Sequence, residues 1–427
     1  MDEKKKAFIQ EQIVPERNSR IKKDLLKLAA VALCAVLFGT VASLTFHLTG
    51  DYFDELLEEK NEETVSLEEE EQQENTGEDT SKSKEEEKEK PIEEKPEPII
   101  LEEEVTLDKI EEAYALLRKT AREYNHCIVT VSGVVQGVDW FDNPSQSKEA
   151  AYGVILAEDE KRFYILTAGD KVEEAESIQI TFSDGSAVEG KLRGKDKLTN
   201  LAVLSVAKEK LGKNTLEKIL VARLGDSYSL SEGNFVMALG SPNGFMYSID
   251  YGIISGQKRE QAITDGKLEL FPTSMAYHAA GEGIIVDMDG RIVGILSNKY
   301  NKESGGDVSA MIGISRLKTI IEKMINKQEM AYFGIIANDI PEEYREELSV
   351  ENGIYITEVE GNSPALEAGL RAGDVIVEVN GTRVSSIINF SNMLSQEVSG
   401  DEMKVKIVRS MNGGAEEQEL TVVLGKR

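Results

Sequence analysis

Three histidines and two cysteines carry most of the nucleophile and base chemistry open to this sequence of 427 residues. A serine or cysteine nucleophile needs a neighbouring base, and histidine is the side chain whose ordinary pKa suits that work. His47 falls within a long apolar run, and His126 is read on the first strand, beside Cys127-Ile128-Val129-Thr130-Val131. That leaves His278, which no motif joins to a nucleophile such as Ser274, so it reads as a loop histidine. Cys34 shares the apolar run with His47, and Cys127 is expected to be a core residue rather than a nucleophile. No disulfide within the chain and no Cys-based metal centre is expected from such a pair. Asp287-x-Asp289-Gly290 begins like a calcium loop, but no later ligands follow, so it reads as a hairpin turn between two apolar runs. Neither a cofactor nor a metal is expected.

The elements that must position these residues show in the pattern of apolar side chains. Leu107, Ile110, Ala113, Tyr114 and Leu117 have helical spacing within Leu107–Tyr124. From Cys127 to about Gly313 the texture changes to short β-branched runs broken by Gly, Asp and Asn, which predicts an all-β barrel or sandwich. Ile314–Asn326 reads as a closing helix. From Tyr332 a further unit mixes strands (Gly353–Val359, Val375–Val379, Lys404–Arg409, Leu420–Leu424) with a helix near Ile387–Gln396, enough for one small α+β domain.

Charge and hydropathy divide the N-terminal part. The formal net charge is −29, and about −18 of it falls in residues 51–104, in runs such as Glu68-Glu69-Glu70-Glu71. So charged and aromatic-poor a stretch cannot bury enough apolar surface to offset ordering, and is expected to be a disordered spacer. An acidic chain also argues against nucleic acid, whose binding depends on Lys and Arg neutralising phosphates. Ahead of it, Leu25 to Leu48 is apolar apart from Lys27, long enough to cross a bilayer as a helix. Lys4, Lys5, Lys6, Arg17, Arg20, Lys22 and Lys23 precede this run, so the N-terminus is expected inside and the remainder outside the membrane. Thr40-Val41-Ala42 could pass for a signal-peptide cleavage site, but the apolar run is long and the segment before it extended, which favours an uncleaved anchor.

A family resemblance rests on several motifs at once. Leu224-Gly225-Asp226-Ser227, Met237-Ala238-Leu239-Gly240-Ser241-Pro242-Asn243-Gly244, Gly252-Ile253-Ile254-Ser255, Gly290–Ile295 and Ile312-Gly313-Ile314-Ser315 resemble the framework of the HtrA/DegP family. Ser363-Pro364-Ala365, Ala368-Gly369-Leu370, Ala372-Gly373-Asp374-Val375-Ile376 and Val379-Asn380-Gly381 resemble its PDZ domain. The resemblance, which covers about Glu123 to the C-terminus, implies a mainly β protein with a trypsin-like double β-barrel and a small α+β PDZ domain; the transmembrane helix and the disordered acidic linker read from hydropathy and charge precede them. The boundaries expected are a cytoplasmic tail at 1–24, a membrane helix at 25–49, the linker at 50–105, the protease-homology domain at 106–330 and the PDZ domain at 331–427.

At the three positions where the family places a Ser-His-Asp triad the residues differ. Thr167-Ala168-Gly169-Asp170-Lys171-Val172 aligns Asp170 with the histidine, and Thr199-Asn200-Leu201-Ala202-Val203 aligns Asn200 with the aspartate. Ala279-Ala280-Gly281-Glu282-Gly283 aligns Gly281 with the serine. Glu282, with Ala279 in the former oxyanion region, would put negative charge where negative charge must develop. Acyl transfer is therefore not expected, since loss of single triad members already costs orders of magnitude. Asp170 and Glu282 are expected to be solvated acids in an open cleft; were they to converge, one pKa would rise or a cation would bind. Ser304-Gly305-Gly306 is a decoy for the serine motif, in a loop that varies in the family.

The PDZ resemblance makes Tyr332-Phe333-Gly334-Ile335 the loop whose backbone N–H groups cradle a peptide's C-terminal carboxylate, with Phe390, Met393 and Leu394 along one wall. The expectation is a membrane-anchored, extracytoplasmic, catalytically inactive homologue. It would bind peptide C-termini or unfolded envelope proteins as scaffold, sensor or partner of active proteases. Homo- or hetero-oligomers, trimers by family analogy, are implied. The alternative is an active serine endopeptidase of the same family in envelope protein quality control.

Overall fold

A computed structural model describes residues 64–67, 106–138, 144–301, 308–342, 344–345, 350–411 and 414–427. Helix α1 (Leu107–Tyr124) has the bounds its spacing predicts, but only its C-terminal end docks, through Ala121 and Tyr124. Leu107, Ile110 and Tyr114 of the predicted apolar side are exposed.

Strands β1 (Ile128–Val138), β2 (Pro144–Glu158), β3 (Arg162–Ala168), β4 (Ser177–Thr181), β5 (Ala187–Asp196) and β6 (Leu201–Ala207) close into a barrel in the order β1-β2-β3-β6-β5-β4. Alternation drives the peripheral strands: along β4, Ile178 and Ile180 point inward while Ser177 and Gln179 face water. Strand β3 instead is buried almost throughout, between the barrel's own core and the interface with the next sheet.

The second sheet contains β7 (Phe235–Ser241), β8 (Ser248–Ile253), β9 (Arg259–Ile263), β10 (Gly266–Ala276), β11 (Glu282–Val286), β12 (Ile292–Leu296) and β13 (Val308–Gly313), in the order β8-β7-β11-β12-β13-β10-β9. A second closed barrel was the expectation, and the ladder here stops short of closure. Strand β8 returns to β10 at a single bridge, Ile254 to Thr273, while the Ile253 N–H donates to Ser274 Oγ at 3.0 Å instead of to backbone. Helix α2 (Lys318–Ile325) packs Ile321, Met324 and Ile325 into the core shared by both sheets. It is shorter than the predicted closing helix.

The remaining unit holds β14 (Ala331–Tyr332), β15 (Ile335–Asp339), β16 (Ile354–Val359), helix α3 (Pro364–Glu367), β17 (Val375–Val379), β18 (Thr382–Arg383), helix α4 (Ile387–Ser395), β19 (Glu402–Met411), β20 (Gly414–Val423) and β21 (Gly425–Lys426). Its sheet runs β15-β16-β17-β19-β20, which leaves β15 at an edge. Ser363 caps α3 by accepting the Leu366 N–H at 3.2 Å, with Pro364 at the first helical position, as those residue types favour. Asp374, buried, accepts Nε and Nη2 of Arg409 at 2.6 and 2.7 Å and also the Arg371 N–H. The Gly369–Asp374 run therefore shapes the fold, as expected.

Ion pairs tie this unit to the rest, Lys267 of β10 with Asp339 of β15 at 3.3 Å among them. Arg427 donates through Nε and Nη2 to the buried carboxylate of Asp196, both at 2.8 Å. Lys426 reaches Glu329 at 2.6 Å.

Residues 1–24 and the membrane helix expected at 25–49 lie outside the described residues, as does Ser304. Among the described residues no helix is long and apolar enough to cross a membrane. Most of the linker at 50–105 is likewise outside them, but a short part departs from the expectation of a free spacer. The Val65 N–H donates to Asn326 Oδ1 at 3.0 Å, Asn326 Nδ2 donates back to the Val65 carbonyl at 2.8 Å, and the Leu67 N–H donates to Glu322. Val65 and Leu67 pack on the main core, so apolar burial outweighs the local excess of charge there.

Candidate functional site

The fold brings Asp170, Asn200 and Gly281, the positions that the resemblance sets against a triad, to the seam between the barrel and the second sheet. Asp170 sits on a 3₁₀ turn, Gly169–Lys171, that follows β3, and Asn200 ends the turn that enters β6. The paired register of β3 and β6, Ala168 opposite Leu201, brings the two together. Asn200 Oδ1 accepts the Asp170 N–H and Asn200 Nδ2 donates to Asp170 Oδ1, each at 2.9 Å. Asn200 holds φ = 58°, a conformation that Asn tolerates better than most residues. The turn before it is pinned by Asp196, which accepts both the N–H and the hydroxyl of Thr199. Lys171 Nζ stands 3.7 Å from Asp170. The pair is a closed, reciprocal hydrogen-bonded unit.

Gly281 and Glu282 lie across the seam at the start of β11. Glu282 pairs with Ser241 in the β7 ladder, its carbonyl accepting the Ser241 hydroxyl at 3.1 Å, and its side chain is buried. Burial first, and the charge of Asp170 second, push its carboxyl up to about 7, with Lys171 opposing. Glu282 is therefore buried rather than the solvated acid expected, and it feels the charge of Asp170. No group of His, Cys, Asp and Glu among the described residues has the arrangement of a metal site.

Gly281 is where the backbone allows nothing larger. A Cβ there would lie 2.4 Å from the Pro242 carbonyl oxygen and 3.0 Å from that of His278. His278 itself is exposed, with Nδ1 accepting the Ala280 N–H at 3.2 Å. Ala279 is exposed beside it. The hydroxyl of Ser274 is engaged by the Ile253 N–H. His126, expected on the first strand, lies instead in the turn before β1, with Nδ1 3.4 Å from Ser183 Oγ. Cys127 is buried and donates to the Tyr124 carbonyl at 2.9 Å, and burial pushes its thiol up to about 12. It is a core residue, as its apolar run implies.

The second candidate is the loop Tyr332-Phe333-Gly334-Ile335. Its N–H groups do converge on a carboxylate, and that carboxylate belongs to the chain itself. Asp265 Oδ2 accepts the Phe333 N–H at 2.9 Å, and Oδ1 accepts those of Gly334 and Ile335 at 2.8 and 3.0 Å. Gly334 adopts φ = 95°, and a Cβ on it would meet Ser363 Cβ at 2.2 Å, so glycine is required to turn the N–H groups inward. Asp265 occupies the turn between β9 and β10 with φ = 61° and is 1% exposed. Burial raises its pKa, opposed by the three backbone N–H groups and by Arg427. Tyr332 stands close enough that burial, followed by the Asp265 and Glu360 charges, raises its phenol.

The expected wall of this groove needs correction. Phe390 is fully buried and meets Phe333 edge to face at 5.2 Å between centroids, so both rings are core rather than ligand contacts. Ile335 is also fully buried, and Met393 packs on the core without lining the cleft. The cleft that holds Asp265, of about 100 Å³, is faced from α4 by Ile388, Ser391, Asn392, Leu394 and Ser395. Leu394, one of the predicted residues, does face the cleft, whereas a helix turns 100° per residue and Phe390 and Met393 fall on the face that the domain buries. Asp265 itself escaped sequence reasoning. Asp265-Gly266 signals a hairpin, and nothing local says what its carboxylate meets.

A trypsin-like domain followed by a PDZ domain is the class that this architecture defines. The model for a trypsin-like peptidase domain matches residues 151–295, and that for a PDZ domain matches 340–424. The chain is 31% identical over 277 residues to serine protease Do-like HtrA of Bacillus subtilis (strain 168), covering 60% of this chain and 60% of that protein. It is 28% identical over 292 residues to a probable periplasmic serine endoprotease, DegP-like, of Marinomonas sp. (strain MWYL1), covering 66% and 59%. The match thus spans about 60% of the length of these relatives. In fold the chain is similar to the HtrA-type protease AlgW solved with a decapeptide, with a TM-score of 0.52, 20% identity, and 73% of this chain and 98% of that one covered. The chain belongs to the HtrA/DegP-type trypsin-like serine protease family with a C-terminal PDZ domain.

Proposed function

We propose that this chain is a non-catalytic member of its family, anchored in the membrane by residues 25–49 with its folded domains on the extracytoplasmic side. It binds peptide C-termini or unfolded envelope proteins through the PDZ domain, as scaffold, sensor or partner of active proteases, alone or in oligomers. Gly281 carries this reading: it has no nucleophilic atom, and the Pro242 carbonyl lies 2.4 Å from where a Cβ would stand. Asp170, locked to Asn200, supports it further, because a carboxylate paired with an amide supplies neither an imidazole base nor the charge to hold one. Glu282 adds a carboxyl group where an oxyanion would need donors. The peptide-binding half draws support from the intact N–H cradle at Phe333–Ile335 and from the decapeptide with which the similar protease AlgW was solved.

The names of the relatives favour a second reading, an active serine endopeptidase. Incubating the purified full chain with a fluorophosphonate probe and with casein separates the two. The non-catalytic reading expects no covalent adduct and no cleavage. Labelling of any serine together with casein cleavage that is lost when that serine is replaced would overturn it.

A further inference from the structure

We propose that the β9–β10 hairpin is a built-in ligand of the PDZ groove, with the Asp265 carboxylate standing where a peptide's C-terminal carboxylate binds, so that a free C-terminus enters only by displacing it. The inference rests on the reading of the Phe333–Ile335 loop as a carboxylate cradle, and adds how that site is regulated.

Five features of the contact match what a bound peptide would make. The carboxylate takes all three converging N–H groups, at 2.8 to 3.0 Å. The Asp265 N–H donates in return to the Ile335 carbonyl at 2.8 Å, the first rung of a strand added to the edge of β15. On the opposite wall, Gly266 lies against α4, where a Cβ on it would stand 3.1 Å from Ser391 Oγ. Farther along β15, Lys267 Nζ reaches Asp339 Oδ2 at 3.3 Å. Thr264 Oγ1 donates to Glu360 at 2.9 Å on the other side of the cradle. The hairpin therefore spans the groove from β15 to α4, as a bound peptide would.

The contact also joins the PDZ unit to the protease-like part. Displacing Asp265 removes the central fastening and leaves Arg427 with Asp196, Lys426 with Glu329, and Lys323 with the Ser395 carbonyl. Peptide capture and separation of the two parts are then one equilibrium. A ligand that binds only the open form has its affinity reduced by the fraction of open molecules.

The test uses the full chain and its Asp265→Asn variant, whose amide keeps the shape but cannot accept at both ends of the cradle. Two measurements are made: hydrogen exchange at the Phe333, Gly334 and Ile335 amides, and retention of a random heptapeptide pool carrying either a free C-terminal carboxylate or a C-terminal amide. The proposal expects exchange roughly tenfold or more faster in the variant, and carboxylate-selective retention roughly tenfold tighter than by the native chain. It also expects millimolar carboxylate peptides to speed exchange between the two parts of the native chain, a readout that does not depend on the variant folding. Carboxylate-selective retention that is equal in native and variant proteins, without any effect of peptide on exchange of the native chain, would overturn the latch and leave the peptide reading standing. Faster exchange in the variant with no preference for carboxylate over amide in either protein would overturn the proposal through the peptide reading beneath it.

Discussion

Replacing Glu282 by glutamine should stabilise this protein at alkaline pH and do little at acid pH. The Glu282 carboxyl is held at about 7 against an ordinary value of 4.5, because burial and then the Asp170 charge disfavour its ionised form. In the unfolded chain it ionises near its ordinary value, so between these two points the native state binds a proton that the unfolded state has released. Stability from this group is therefore complete below about pH 4.5, falls as pH rises through the window, and is lost above about 7. At about 1.4 kcal/mol per pH unit, the gap corresponds to roughly 3 kcal/mol, as an order of magnitude. Glutamine has nearly the same shape and never ionises, so it escapes that loss. Urea unfolding of native and Glu282→Gln proteins, followed by circular dichroism from pH 4.5 to 8.5, measures the difference directly. The expected curve is near zero at the acid end and a gain of about 2 to 3 kcal/mol for the variant at the alkaline end. A difference that does not vary with pH, or that favours the native protein at pH 8.5, would refute both the burial of this carboxyl and its coupling to Asp170.

Three further outcomes are expected. Gly281→Ser should gain no reactivity toward a fluorophosphonate and should lose about 1–3 kcal/mol in thermal or urea unfolding, since its Cβ meets the Pro242 carbonyl at 2.4 Å; a stable, labelled variant would contradict the geometry. Asp374→Ala should cost about 3–5 kcal/mol, because it strips the half-buried Arg409 guanidinium of its bidentate partner; a loss below 1 kcal/mol in urea unfolding would show that solvent replaces the pair. The Cys127 thiol, raised to about 12 by burial, should resist iodoacetamide at pH 8 in the native chain and react once the chain is unfolded in urea. Alkylation of Cys127 without unfolding, read by mass spectrometry, would place that residue outside the core.

The difference between what could and could not be read beforehand follows the range of the interactions involved. Periodicity is local, so α1, the strands from Ile128 to Gly313 and the PDZ elements from Ile354 to Val423 fall close to where side-chain spacing puts them. The side of α1 that meets the protein is not local. Its apolar positions Leu107, Ile110 and Tyr114 stay exposed because only the helix's C-terminal end reaches the core. The wall of the PDZ cleft was legible only in part for a similar reason: Leu394 faces the cleft, but Phe390 serves the domain's own core.

The sequence by itself determined the family, through framework motifs whose spacings agree over two domains, and the residue types at Asp170, Asn200 and Gly281. Glycine at 281 offers no side-chain nucleophile at that position in any fold. Tertiary structure decided what surrounds these positions: the mutual lock of Asp170 and Asn200, the burial that raises Glu282, and the carbonyl that bars a side chain at 281. It alone decided that the carboxylate in the PDZ cradle is Asp265, some seventy residues upstream. Contacts between residues so far apart in sequence are set by how separate sheets pack, and no local pattern of side chains records that.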